Sequence, residues 1–157
     1  MRRAVEPYLT KCASCGLTYM AADPVDEPEH RRVCKRWSNA VNTLRYEPEQ
    51  HTDRENAKHR GHALLRDADA HRRALGAELI VRAWFDRSLA AAINGDYWRR
   101  HPELPQYTAM MDLERHFPAE VVAVLRARVG RRGPGIADGS SYWSPPAPTH
   151  PNVATLR

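Results

Sequence analysis

A chain of 157 residues is long enough for one domain, or one domain with a small appendage, and needs no metal merely to fold. Its apolar content of 42% and charged content of 27% are ordinary for a globular protein, and no apolar run approaches the roughly 20 residues of a membrane span. The net charge of +5 and pI of 9.4 raise the prospect of a nucleic-acid partner, but the excess is dispersed: residues 1–53 carry 8 basic and 8 acidic side chains, residues 54–93 carry 8 and 5, and residues 94–157 carry 8 and 6.

The opening Met1-Arg2-Arg3-Ala4-Val5-Glu6-Pro7 is basic but lacks the apolar stretch of a signal peptide, so a cytoplasmic setting is expected. All three cysteines lie within the first 34 residues. An odd, clustered set fits metal binding better than a disulfide framework. The segment reads Cys12-Ala13-Ser14-Cys15-Gly16, then His30-Arg31-Arg32-Val33-Cys34, which is C-x2-C, fourteen residues, and H-x3-C. Two residues between cysteines make a tight turn that aims both thiolates at one point, and Gly16 supplies the permissive backbone such a turn needs. His30 and Cys34 are four apart and share one face of a helix. Four nitrogen and sulfur ligands close a tetrahedron and leave no open position. Cys12, Cys15, His30 and Cys34 are therefore the expected ligands of one structural Zn2+.

Cys12-x-x-Cys15-Gly16-Leu17-x-Tyr19, followed by Asp26-Glu27-x-x-His30-x-x-x-Cys34, resembles the ββα finger at the front of sister-chromatid-cohesion acetyltransferases. Leu17 stands where that family has methionine, and Cys34 where it has a second histidine. The resemblance covers residues 11–36 and implies a finger fold with the same four ligands; it does not carry the enzyme. Arg132-Gly133-Pro134-Gly135-Ile136-Ala137 fits the string of that family's pyrophosphate loop, but a helix precedes it and a proline cluster follows. In a DNA-reading finger, the base-contacting helix positions would here fall on Asp23, Asp26 and Glu29, three carboxylates facing a polyanion. Pro28 also predicts that the helix starts late. Beyond them, Arg31, Arg32, Lys35 and Arg36 form a basic patch that can touch phosphate or simply face solvent.

Trp37, Val41 and Leu44 continue a helical spacing after Cys34, and Tyr46-Glu47-Pro48-Glu49 interrupts it. Asp53 is the expected N-cap of the next helical segment. Apolar residues then recur at threes and fours from about 54 to 93, as one long helix or two joined helices, with a slip around Gly76. Its first half is polar, and its second half, Leu79 to Phe85, is expected at the centre of the core. Asn94-Gly95 stops it. Residues 96–105 form a loop, and Tyr107 to Leu113 a short helix. Pro118 is placed for the first helical position of a last helix that ends at Gly130. From Arg131 the chain is rich in Gly, Ser and Pro. The fold expected is mainly α: a small ββα zinc finger with its following helix (1–45), a helical body (46–130) and an irregular tail (131–157).

No catalytic residue stands out. Glu55, His59, His62 and His71 fall along the predicted long helix and form a possible second metal site, the basis of a metal-dependent-enzyme alternative. The function expected first is a zinc-stabilised interaction protein, an adaptor, regulator or assembly component that binds another protein, with Tyr142 and Trp143 in the tail as anchors. The other alternative is a nucleic-acid-binding protein without base reading. It would hold phosphates through Arg31, Arg32, Lys35 and Arg36, and through Arg126, Arg128, Arg131 and Arg132 near a helix end.

Overall fold

A computed structural model describes residues 6–129. It is mainly helical, with a hairpin of β1 (Tyr8–Lys11) and β2 (Thr18–Ala21) in front of five α-helices. The strands pair antiparallel, with Thr10 opposite Tyr19 and Lys11 opposite Thr18. No other sheet occurs among the described residues. Among them, too, no helix is long and apolar enough to cross a membrane.

Helix α1 (Asp26–Leu44) starts earlier than Pro28 predicts. Pro28 is the third helical residue, inside the first turn, where a backbone N–H has no helical partner to lose. Side chains of the preceding turn hold this start. The Asp23 carboxylate accepts from Val25 N–H at 2.8 Å and Asp26 N–H at 2.9 Å. Those N–H groups hold the Asp23 carboxyl below its ordinary pKa, and the Ala22 N–H does the same for Glu27. Arg45, at φ 50°, ends the helix.

The predicted 54–93 helix is two helices, α2 (His51–Leu64) and α3 (Ala70–Asn94). Asp53 is not the cap of α2, which begins two residues before it with Gln50 in the extended region. The break falls at 65–69, not near Gly76. There the Asp67 carboxylate accepts from Asp69 N–H and the Asp69 carboxylate from His71 N–H, so two aspartates turn the chain and cap α3. Gly76 has another task. A methyl group at Gly61 would lie 2.6 Å from the Gly76 carbonyl oxygen and 2.7 Å from Ile80 Cγ1. The missing side chains let α2 and α3 cross backbone to backbone.

Helix α3 is the central strut. Ile80, Val81, Phe85, Leu89 and Ile93 are almost fully buried, and they point to more than one side, so α1, α2, α4 and α5 all lean on it. Burial of each large side chain favours folding by about 1.5–3 kcal/mol. Beyond Gly95, residues 98–100 form a 3-10 turn that buries Trp98. Helix α4 (Leu104–Met110) opens with a reciprocal capping box between Glu103 and Gln106. Helix α5 (Ala119–Val129) follows Pro118 directly, and the Pro118 carbonyl accepts from Val121 N–H and Val122 N–H. It buries Val121, Val122, Leu125 and Val129. Trp37 and Ala40 of α1 join the same core, and Cys15 lies at its edge.

Candidate metal centre

The two cysteines of the hairpin turn meet two residues from the first half of α1. In the turn, Gly16 N–H donates to the Cys12 carbonyl and Cys12 N–H to the Leu17 carbonyl, both at 2.9 Å. Gly16 sits at φ 72°, a left-handed backbone that other residues adopt only under strain. His30 and Cys34, one helical turn apart, face this loop.

The ligand atoms of Cys12, Cys15, His30 and Cys34 all lie within 4.8 Å of one another. The Cys12 and Cys34 sulfurs are 3.9 Å apart. Two thiolates at about 2.3 Å from a tetrahedral zinc would be separated by about 3.8 Å. His30 is buried, and its Nε2 has no hydrogen-bond partner. A buried polar nitrogen without a partner is costly, and a metal bond removes that cost. Tyr19 stacks on the imidazole with centroids 3.8 Å apart and planes 13° from parallel, which fixes the ring's tilt.

The sulfurs are not electrostatically alike. The Cys15 N–H, aimed at the Cys12 sulfur, brings that thiol down to about 6 against the opposing effect of burial. Burial pushes Cys15 up to about 11 and raises Cys34 as well. Ionising all three sulfurs in so small a volume would set thiolates against one another, and a divalent cation among them would offset that repulsion. Four converging donors are thus present that can hold a metal ion.

The loop is also tied to the body. The Gln50 side-chain amide, at the start of α2, donates to the Ala13 carbonyl at 3.3 Å. A methyl group on Gly16 would press on that same side chain at 3.3 Å. Tyr19 belongs to the motif quoted from the sequence, though not its stacking on His30, whereas Gln50 is not legible there because it acts through a tertiary contact.

Other expected residues do not converge. Glu55 pairs with Lys58 at 2.9 Å, His59 and His62 are exposed on α2, and His71 belongs to α3 across the aspartate turn. Among the described residues, the Cys12 cluster is the one group of three or more His, Cys, Asp or Glu side chains placed to hold a metal. Within the basic patch, Arg31 pairs with Glu27 at 3.2 Å and Arg36 donates to the Asn94 carbonyl, while Arg32 and Lys35 face solvent. Arg126 forks onto Glu114 at 2.8 and 3.2 Å, and Arg128 is held by Glu78 at 2.7 Å. Arg131, Arg132, Tyr142 and Trp143 lie outside the described residues. Of the acidic finger residues, Asp23 accepts from the Val25 and Asp26 N–H groups just before and at the start of α1, and Asp26 accepts from Met20 N–H at 3.1 Å.

No protein-family model matches the chain, and no curated protein or solved structure does. The Cys-Cys-His-Cys cluster lies at a β-hairpin followed by a helix, an arrangement compatible with a zinc finger, and no match supports the acetyltransferase likeness of residues 11–36.

Proposed function

We propose that the protein is a small interaction protein whose N-terminal finger is held by one structural Zn2+ on Cys12, Cys15, His30 and Cys34. The observation that carries this reading is the convergence of four donor atoms within 4.8 Å, with the Cys12 and Cys34 sulfurs 3.9 Å apart and a buried imidazole nitrogen without a hydrogen-bond partner. A set of four protein ligands leaves no position for substrate, so the metal's work is to fix the finger. The hairpin then displays Tyr8 and Leu9, with Val25 just before α1; these are 57%, 69% and 70% exposed. Exposed apolar side chains on a fixed finger suit contact with another protein.

Phosphate binding has less support. Residues 6–129 carry 19 basic and 18 acidic side chains, a net of +1, so most of the chain's +5 lies in the two termini. Several arginines of the expected phosphate surface are engaged within the fold.

Reconstitution with Co2+ tests the ligand set. Three thiolates and one imidazole around a tetrahedral ion give intense visible bands and a thiolate charge-transfer band, both reduced in Cys15→Ser. Weak octahedral bands, or a spectrum unchanged by that substitution, would refute the assignment. In parallel, a labelled DNA duplex at physiological salt should show no saturable binding. Tight binding with a steep salt dependence would favour the phosphate reading instead.

A further inference from the structure

The three sulfurs of the candidate metal centre, which belong to the chain's three cysteines, differ in access. Cys12 and Cys34 are partly exposed. Cys15 is 9% exposed and belongs to the buried core cluster, against which the other two only pack. The Cys12 and Cys34 sulfurs are 3.9 Å apart. A disulfide holds its sulfurs at about 2.05 Å, so this pair has to close by about 1.9 Å.

Connectivity separates the possible pairs. Cys12 lies in the hairpin turn and Cys34 on α1, 22 positions later in the chain. A bond between them joins hairpin to helix, as a shared metal would. A Cys12–Cys15 bond would stay inside the turn and leave α1 untied. Either pair that includes Cys15 engages the sulfur least open to an oxidant.

We propose that peroxide converts this centre from a metal site into a cross-link between Cys12 and Cys34, with Cys15 left as a buried thiol. Taking Cys12 first, its sulfur attacks one peroxide oxygen and the O–O bond breaks. The departing hydroxide takes a proton and leaves as water. The Cys34 thiolate then displaces hydroxide from the sulfenic acid on Cys12, which forms the S–S bond and a second water. Two electrons pass from the two sulfurs to the peroxide. Cys15 and His30 remain as two of the four donors that a structural zinc needs, so the ion is released. The cross-link keeps the hairpin on α1, and the finger outlasts the loss of its metal. The released ion rests on the zinc assignment made above. The choice of sulfur pair follows from the sulfur positions alone.

Full-length protein, kept reduced and assayed for zinc by elemental analysis, is treated with hydrogen peroxide. It is then alkylated under denaturing conditions and digested without reductant for mass spectrometry. The chain should lose two hydrogens, fragmentation should place the bond between Cys12 and Cys34, and Cys15 should carry the alkyl group. A chromophoric chelator should report zinc release in step with the cross-link, and thiol reductant with added zinc should reverse both. Cys15→Ser should still form the cross-link. In hydrogen exchange, the Cys12 N–H, which donates to the Leu17 carbonyl, should be protected about tenfold or more over the reduced, chelated chain. A Cys12–Cys15 or intermolecular bond would overturn the proposal. So would sulfinic or sulfonic acids without a cross-link, or a hairpin as unprotected as in the chelated chain. A reduced chain that holds no zinc yet forms the Cys12–Cys34 bond would refute the zinc assignment and uphold the sulfur pairing.

Discussion

Glu78 and Asp86 are acids set among the apolar positions of α3, 5% and 2% exposed, and each is held differently. Glu78 is sandwiched by Arg82 at 3.0 Å and Arg128 at 2.7 Å, so a charged triad ties α5 to the central helix. Removing the carboxylate would leave two guanidinium groups with only partial access to water. Asp86 instead accepts from the Tyr46 hydroxyl and the Glu49 N–H, and holds the chain as it leaves α1. Burial, the largest influence, pushes its carboxyl up from 3.8 to about 6 in spite of those hydrogen bonds. Burial beside Asp86 likewise pushes the Tyr46 hydroxyl up. The folded state thus favours the protonated acid. That contribution is complete below the ordinary aspartate pKa and is lost as pH rises through about 6. In Asp86→Asn the group cannot ionise, so the variant should gain on the parent by up to about 3 kcal/mol between pH 4 and pH 7. Urea unfolding of both proteins across that range measures the difference, in which the other carboxylates cancel. Parallel stability curves would show that Asp86 does not titrate in this way. The sequence shows both acids inside an apolar run but not their partners, because Tyr46 and Arg128 are 40 and 50 residues distant.

Helix pairing in the body turns on two glycines. Apolar periodicity reveals that residues 54–93 are helical and that their second half is central. It does not reveal the break at 65–69, because Asp67 and Asp69 read equally well as surface residues of a continuous helix. Nor does it reveal why α2 can be so polar. Gly61 is its one fully buried residue, and backbone contact with Gly76 replaces the interlocking side chains that usually join a helix pair. Gly61→Ala should therefore destabilise the protein by about 1–2 kcal/mol, with overpacking outweighing the better helix propensity of alanine. Denaturant midpoints of the variant and the parent decide this. A stability equal to or above the parent's would mean that the helices part easily and that the close crossing is not required. The finger is legible for the opposite reason. Its ligand positions are set by local geometry, a two-residue turn and a single helical turn, which spacing alone displays. The start of α1 departs from expectation because the proline rule applies to helix interiors, whereas Pro28 lies in the first turn.

As a whole, the molecule is a helical body built around α3 with a finger fastened to it, and both contribute to one core. Cys15 and Trp37 belong to the buried cluster, and Cys12, Leu17, Val33 and Cys34 pack against it. Gln50 adds a polar tie between the hairpin turn and the start of α2. This arrangement lets a metal at the finger position the exposed Tyr8, Leu9 and Val25 against a rigid support instead of a loose arm. Metal occupancy is the property on which the proposed role of the finger depends most. Native mass spectrometry of protein purified without added metal, with elemental analysis of the same sample, measures it. One zinc per chain is expected, lost together with the Cys15 thiol in Cys15→Ser. A metal-free chain that keeps its fold, or full zinc content in Cys15→Ser, would contradict the four-ligand centre.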